Sequence, residues 1–196
     1  MKRGTPSPAA AAAPRRRAVL AALLAAPARA AADPWQAARE GRAAILLRHA
    51  IAPGTGDPPG FRPGDCATQR TLSEAGRAQA RAIGAALRAR GIDQARVLSS
   101  AWCRARETAE LLGLGPVGHA PALDSFFADR AAGPARTEAL RGLLAAWAGP
   151  GTLVLVTHQV NITALTGVFP ASGEALLVYT GARAGAVALR VPPPSP

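Results

Sequence analysis

Lysine, aromatic side chains and acidic side chains are all scarce in this 196-residue chain. A single lysine, Lys2, stands against 22 arginines, and only eight residues are aromatic. Six of the cations and none of the acids lie in residues 1–32, so residues 33–196 carry only +5 of the net charge of +11. The remaining arginines are scattered without aromatic partners, which argues against a nucleic-acid surface. We therefore predict no nucleic-acid partner.

The chain also lacks any apolar run long enough to cross a bilayer, which takes about 20 residues. Its N-terminal run, Ala18–Ala26, follows three arginines and precedes the small-x-small triplet Ala28-Arg29-Ala30. This pattern is typical of a cleaved export signal and resembles the twin-arginine type. We predict an export signal over residues 1–32, cleaved after Ala30 or Ala32, and a single domain over 33–196. The location is then periplasmic or secreted, with no stable membrane anchor; a leader without a targeting role is the alternative.

Cysteine is limited to Cys66 and Cys103. Their spacing fits no zinc pattern, and two thiols cannot complete a tetrahedral zinc site without further ligands. Both lie in the part predicted to be exported, and an even pair in an oxidising compartment is more often bridged than free. We predict a Cys66–Cys103 disulfide, with two buried thiols as the alternative.

Apolar residues make up 49% of the chain, enough for the core of one domain. Short apolar runs without alternation are typical of strands buried on both faces, and here they alternate with helical patterns. Loops are predicted at 51–69 and 113–136. Strands are predicted at 43–47, 97–99, 153–156, 176–179 and 186–191, and helices from the cap Ser73 to Gly91, at 104–112, at 137–148 and from 161 to 166. This alternation predicts an α/β layered sheet.

Polar side chains follow three of these strands. Arg48-His49 comes after the first strand, Ser99-Ser100 ends the second with Arg104 in the next helix, and Thr157-His158 follows the third. In open α/β sheets, ligands bind outside the carboxyl ends of the strands. We therefore expect two histidines and two arginines to meet in one crevice.

These side chains suit a phosphoryl group. Arginine pairs with phosphate oxygens through two parallel hydrogen bonds, and a neutral imidazole nitrogen can attack phosphorus to form a phosphohistidine. The second histidine and the arginines would neutralise charge as the transition state forms. The sequence has neither a phosphate-cradling glycine loop nor a carboxylate cluster of metal-site type, so we predict no metal and no cofactor.

Four segments of the sequence resemble the signature motifs of the histidine phosphatase superfamily, branch 1 (phosphoglycerate-mutase-like). Residues 47–50 (LRHA) resemble its RHG motif, and 72–80 (LSEAGRAQA) resemble its LTxxGxxQA segment. Residues 99–109 (SSAWCRARETA) and 156–158 (VTH) are similar to its SxxxRAxxTA and VSH segments. The amino-acid sequences of residues 56–61 and 156–161 resemble those of an exported bacterial subgroup near the lipopolysaccharide core heptose phosphate phosphatases.

The resemblance implies a three-layer α/β/α fold with a mostly parallel, mixed sheet and one antiparallel strand. It implies that Arg48, His49, Arg104 and His158 form the phosphate pocket, with His49 as the nucleophile. Arg70, Asp124 and Gln159 are further candidates for contacting the substrate.

The sequence departs from the family's pattern in two places. Ala50 replaces the usual glycine after the histidine, which a backbone with positive φ would resist. The acid that many members carry after the second arginine is not evident: Ser125 takes its position, Asp124 is one residue away, and Asp129 lies beside Arg130. The proton donor is left unassigned.

We predict an exported, metal-independent phosphatase that acts on a small phosphorylated substrate such as an envelope sugar phosphate. A phosphohistidine or phosphoramidate phosphatase and a phosphoglycerate-type mutase are alternatives with the same pocket. A non-catalytic anion-binding domain of the cell envelope is an alternative of a different class.

Overall fold

The computed structural model describes residues 33–194, together with residues 1, 2 and 4. One compact unit spans Ala31–Pro196 and a separate unit spans Met1–Ala30. The predicted export signal lies outside the described residues except at positions 1, 2 and 4. None of the helices in the described part is long and apolar enough to cross a membrane.

A six-stranded mixed sheet forms the centre of the folded unit, in the order β3-β2-β4-β1-β5-β6. Its strands are β1 (Ala43–Arg48), β2 (Ala95–Ser99), β3 (Val117–His119), β4 (Thr152–Thr157), β5 (Ala175–Tyr179) and β6 (Val187–Val191). The pairs among β1, β2, β3 and β4 are parallel, whereas β5 runs antiparallel to both of its neighbours. The predicted sheet with one antiparallel strand is therefore confirmed.

Helices cover both faces of the sheet, which confirms the predicted three layers. They are α1 (Pro34–Arg39), α2 (Glu74–Arg88), α3 (Cys103–Leu111), α4 (Gly133–Ala146) and α5 (Gln159–Thr166). Apolar residues of α1, α2 and α3 pack with one face of the central strands, and those of α4 and α5 pack with the other. Every residue of β4 is buried, because this strand lies inside the sheet with helices on both sides.

The structure corrects the sequence prediction at several places. The predicted loop at 113–136 contains β3, a three-residue edge strand that the sequence analysis missed. The predicted helix at 137–148 begins earlier, at Gly133, because Pro134 can occupy the first turn of a helix. Helix α5 likewise begins at Gln159 rather than 161, and the short helix α1 was not predicted.

Candidate active site

The register of the central strands brings the predicted site residues together. Arg48 at the end of β1 pairs with Thr157 at the end of β4, so His49 and His158 follow neighbouring parallel strands side by side. The His49 N–H donates to the Thr157 carbonyl at 2.9 Å. The imidazole centroids of the two histidines lie 5.4 Å apart. Strand β2 ends beside them, and α3 places Arg104 against His49.

Hydrogen bonds define the protonation of His49. Its Nδ1 lies 2.8 Å from the Ala50 carbonyl, which can only accept, so Nδ1 carries the hydrogen. Its Nε2 accepts from the Nε of Arg104 at 3.3 Å. The lone pair of this neutral imidazole is therefore on Nε2, among the residues that line a cavity of about 110 Å³. This is the form that attacks an electrophile.

Ser100 sets the same tautomer at His158. The Ser100 hydroxyl accepts from the Trp102 N–H at 3.0 Å and lies 2.8 Å from His158 Nε2. Its own hydrogen has no other acceptor among the described contacts, so it is donated to Nε2 and leaves the ring hydrogen on Nδ1. That Nδ1 is buried and has no hydrogen-bond partner within the described part of the chain.

A second buried donor in the cavity wall is also unpartnered. Arg48 donates from Nη1 to the Pro170 carbonyl at 2.8 Å, but its Nε meets no acceptor in residues 33–194. Buried donors without partners are costly in a folded protein and mark positions where a ligand completes the hydrogen bonding. Both orphan donors, Arg48 Nε and His158 Nδ1, belong to residues that line the same cavity as His49.

Burial and positive charge keep both histidines neutral. Burial lowers the pKa of His49 to about 3; the Ala50 carbonyl opposes this shift and the charge of Arg104 adds to it. Burial also holds the pKa of His158 well below its ordinary value, with His49 and Arg104 acting in the same direction. The site therefore presents a neutral nucleophile beside permanent guanidinium charges at neutral pH.

The loop between β1 and α2 forms one wall of the cavity. Arg70 holds its shape by donating to the carbonyls of Ala52, Pro53, Gly54 and Gly56 at 2.6–3.0 Å. Arg70 also lines the cavity, so its position allows the predicted contact with substrate.

Asp57 of the same loop reaches the second arginine of the site. Its Oδ1 accepts from Arg104 Nη1 at 2.8 Å and its Oδ2 accepts from Trp102 Nε1 at 2.9 Å. The Trp102 ring stacks on Phe61 at 5.2 Å. Asp57 is thus a partner of Arg104 that the sequence analysis did not identify.

The Cys66–Cys103 disulfide ties this loop to the first residue of α3, with 5.7 Å between the Cα atoms. Its presence confirms the predicted bridge. The Cys103 N–H also donates to Gln69 Oε1 at 3.0 Å, which adds a second link beside Arg104.

Residues of the recognised motifs support the backbone around His49. Thr108 Oγ1 accepts from the Ala50 N–H at 3.0 Å and donates to the Arg104 carbonyl at 2.7 Å, linking the two site segments. Gly76 is required because a Cβ there would lie 2.1 Å from the Ile51 carbonyl oxygen. Ala50 fits in place of glycine, since no non-glycine residue of the described chain has a positive φ.

The other predicted contact residues are placed differently. Gln159 lines the cavity, although its Nε2 donates to Thr163 of its own helix at 2.9 Å. Asp124 does not line it: its carboxylate accepts from the Ala101 N–H at 2.8 Å and lies 3.1 Å from His119 Nε2. Its neighbour Ser125 does line the cavity.

Sequence reasoning assigned no role to three residues that shape the site. Ser100 had a usable signal, since it stands four residues before Arg104 at the start of the recognised motif. Phe127 lines the cavity and its ring approaches Gly56. Asp57 had no signal beyond its place in the loop.

The arrangement can bind a phosphoryl group and attack it. Guanidinium groups of Arg48, Arg70 and Arg104 line the cavity, and α5 begins there with His158 as its N-cap residue. Guanidinium groups and helix N-termini both favour an anion. A phosphorus atom held by them would lie within reach of a neutral imidazole lone pair.

Comparison with known proteins identifies the family of the chain. The sequence model of the histidine phosphatase superfamily (branch 1) matches residues 45–147. A search of curated proteins finds no match. Among solved structures, SixA of Agrobacterium tumefaciens, described as a candidate phosphohistidine phosphatase, is 22% identical over 79% of this chain and 99% of its own, with a TM-score of 0.52.

Two other solved structures share the fold. Rv3214 of Mycobacterium tuberculosis is 16% identical over 78% of this chain and 98% of its own, with a TM-score of 0.59. The protein histidine phosphatase SixA in complex with tungstate is 16% identical over 77% of this chain and 97% of its own, with a TM-score of 0.54. At such identities the likeness concerns the fold alone, whereas the sequence model covers more than half of the chain. The chain belongs to branch 1 of the histidine phosphatase superfamily.

Proposed function

We propose that this protein is an exported phosphatase that hydrolyses a phosphomonoester through a phosphohistidine on His49. One observation carries the proposal: Arg48 and His158, whose Nε and Nδ1 are buried and unpartnered within the described residues, line the same cavity as His49, whose lone pair is on Nε2. Oxygen atoms of a phosphoryl group would accept from both donors while phosphorus faces Nε2.

In the first step, His49 Nε2 forms a bond to phosphorus as the bond to the leaving oxygen breaks. The positive charge that develops on the imidazole is stabilised at Nδ1–H by the Ala50 carbonyl, 2.8 Å away. In the second step, water attacks the phosphohistidine and the N–P bond breaks, and the proton that this water loses balances the proton that the leaving alkoxide took up from solvent in the first step. This step restores the neutral ring and releases inorganic phosphate.

A labelling experiment tests this mechanism. Brief incubation with ³²P-labelled substrate should leave acid-labile, alkali-stable phosphate on the chain, and His49→Gln should abolish both label and turnover. His119→Gln is the matched control, because His119 is half-exposed and pairs with Asp124 away from the cavity. Turnover that survives in His49→Gln would overturn the proposal. Phosphate binding without turnover in the wild type would instead favour a non-catalytic anion-binding domain.

A phosphoramidate or phosphohistidine phosphatase is a second candidate. It is favoured by the cavity wall, where no carboxylic acid occurs among the described residues. Without a nearby acid, a poor leaving group such as an alkoxide receives little help, whereas a phosphoramidate needs less. A kcat/KM for phosphoimidazole at least 100-fold above that for an alkyl phosphate would favour this candidate, and comparable values would favour the phosphomonoesterase.

The proposed export and the envelope substrate rest on the sequence. The N-terminal pattern and the disulfide support an oxidising compartment. Cleavage after Ala30 or Ala32 would leave the folded unit intact, because its first helix begins at Pro34. The resemblance to lipopolysaccharide core heptose phosphate phosphatases supports a sugar phosphate as substrate.

N-terminal sequencing of protein from a periplasmic extract tests the export. A mature chain that starts at Ala31 or Asp33 is expected, and an uncleaved chain in the cytoplasmic fraction would contradict it. Phosphate release from a panel of envelope sugar phosphates, nucleotides and phospholipid headgroups tests the substrate class. Transfer of phosphate between positions of one substrate, without release, would indicate a mutase.

A further inference from the structure

Asp57 is the one carboxylate in residues 33–194 that hydrogen-bonds to any of Arg48, His49, Arg104 or His158. It contacts Arg104 at Nη1, whereas Arg104 Nε contacts His49 Nε2. Arg104 is buried and Asp57 is largely covered, with side-chain exposures of 4% and 10%. This ion pair therefore belongs to the interior of the site and differs from the exposed arginine pairs elsewhere on the chain.

Trp102 and the disulfide hold Asp57 in place, and the Trp102 ring also packs edge-on against His158 with 5.4 Å between the centroids. Trp102 Nε1 donates to the second carboxylate oxygen of Asp57, and the Trp102 ring is packed on Phe61 from the same loop. The disulfide fixes that loop to the residue preceding Arg104. Because the loop is tied at several points, it keeps the carboxylate on the guanidinium.

The charges of the site give this carboxylate a function. Three guanidiniums, those of Arg48, Arg70 and Arg104, line the cavity, and both histidines are neutral. With the Asp57 carboxylate, the net charge of these groups is +2, which matches a phosphoryl dianion. Without it, the net charge is +3. An excess of positive charge in a poorly solvated site would hold inorganic phosphate more tightly after hydrolysis.

We propose that Asp57 is an internal counter-anion of the phosphate pocket, which orients Arg104 and weakens the binding of inorganic phosphate so that the product leaves. The inference rests on the proposed function and adds to it a residue outside the recognised motifs. It also bears on reaction type. A mutase has to retain its phosphoryl group, whereas a hydrolase has to release phosphate, and tight ground-state binding of a product does not accelerate turnover.

Titration calorimetry with inorganic phosphate on the full chain, disulfide formed, tests the inference. Asp57→Asn keeps the shape of the side chain and removes its charge, and the phosphate Kd should fall by about tenfold or more. Asp93→Asn is the matched control, because Asp93 is exposed and distant from the cavity wall; its Kd should equal that of the wild type. A purely structural role predicts the opposite sign, since a displaced Arg104 would weaken phosphate binding.

A second variant covers the case in which Asp57→Asn fails to fold. Trp102→Phe keeps an aromatic ring against Phe61 and His158 but removes the donor to Asp57. The carboxylate is then held less firmly on Arg104, so the phosphate Kd should fall by a smaller factor. A Kd that is unchanged or raised in a folded variant overturns the inference while leaving the proposed function standing. If the wild-type chain shows neither turnover nor a phosphohistidine in the labelling experiment, the proposed function fails as well.

Discussion

His49 should make the stability of the protein sensitive to acid. Burial lowers its pKa from 6.5 to about 3. At pH values between these two, His49 therefore binds a proton in the unfolded chain but not in the folded chain. The free energy of unfolding is therefore unaffected above pH 6.5 and falls as the pH drops towards 3. The slope is about 1.4 kcal/mol per pH unit, which amounts to a loss of about 2 kcal/mol at pH 5 and about 4 kcal/mol at pH 3, where half of the folded chains are protonated too.

Replacing His49 by glutamine removes this titration. Guanidinium denaturation of the wild type and of His49→Gln, each at pH 8 and pH 5 in phosphate-free buffer, gives four free energies of unfolding. The wild type should lose about 2 kcal/mol more than the variant between the two pH values. His158 and the carboxylates titrate in both chains, so their contributions cancel in the comparison. Equal denaturant slopes would show that the unfolded states are comparable.

Equal losses in the two chains would refute the reasoning, because they would mean that His49 titrates similarly in the folded and unfolded states. NMR provides an independent check. The imidazole nitrogens of His49 should keep the shifts of a neutral ring with hydrogen on Nδ1 from pH 8 to pH 5. A titration midpoint near 6.5 would show that the folded protein does not exclude the proton.

Three further predictions concern the support of the site. Ser100→Ala should allow His158 to populate both tautomers, so that its nitrogen NMR shifts move towards those of mixed tautomers. The kcat should fall more than tenfold with little change in melting temperature, and an unchanged spectrum would contradict this. Gly76→Ala should destabilise the fold by about 1–3 kcal/mol, because its methyl group would meet a backbone oxygen; denaturation measures the loss, and Gly142→Ala, with open space around it, is the control. Reduction of the Cys66–Cys103 bridge should lower the free energy of unfolding by about 3–4 kcal/mol and raise KM more than it lowers kcat; thermal unfolding and steady-state assays with and without reductant decide this.

The sequence predicted the buried strands, the polar strand ends and a helix cap, because the signal for each lies in a short stretch of chain. The buried strands β1 and β4 are unbroken apolar runs, and the polar residues after them identified the site because strand ends meet at one edge of the sheet. Ser73 was predicted as a helix cap, and its hydroxyl accepts from the Gly76 N–H at 3.0 Å. In these cases a short stretch of chain carries the whole signal.

Other features depend on the folded context and carry no local signal. Strand β3 has three residues with Gly118 at its centre, and it is extended because it pairs with β2. The contact between Asp57 and Arg104 joins residues 47 positions apart through the path of an irregular loop. Ser125 lines the cavity, whereas the Asp124 carboxylate accepts from the Ala101 N–H instead. Both placements depend on the path of the segment before α4.

The guanidinium of Arg70 is a cation bound by four main-chain carbonyls, as a metal ion is bound by the oxygens of a crown ether. The conformation of residues 52–56 is consequently encoded in the backbone and in one distant side chain, with glycine required at Gly54 and Gly56, where φ is positive. Thr55, whose side chain has no part in this arrangement, lines the cavity. The segment therefore offers a position where substrate preference can be redesigned by saturation mutagenesis while the scaffold that presents it is held constant.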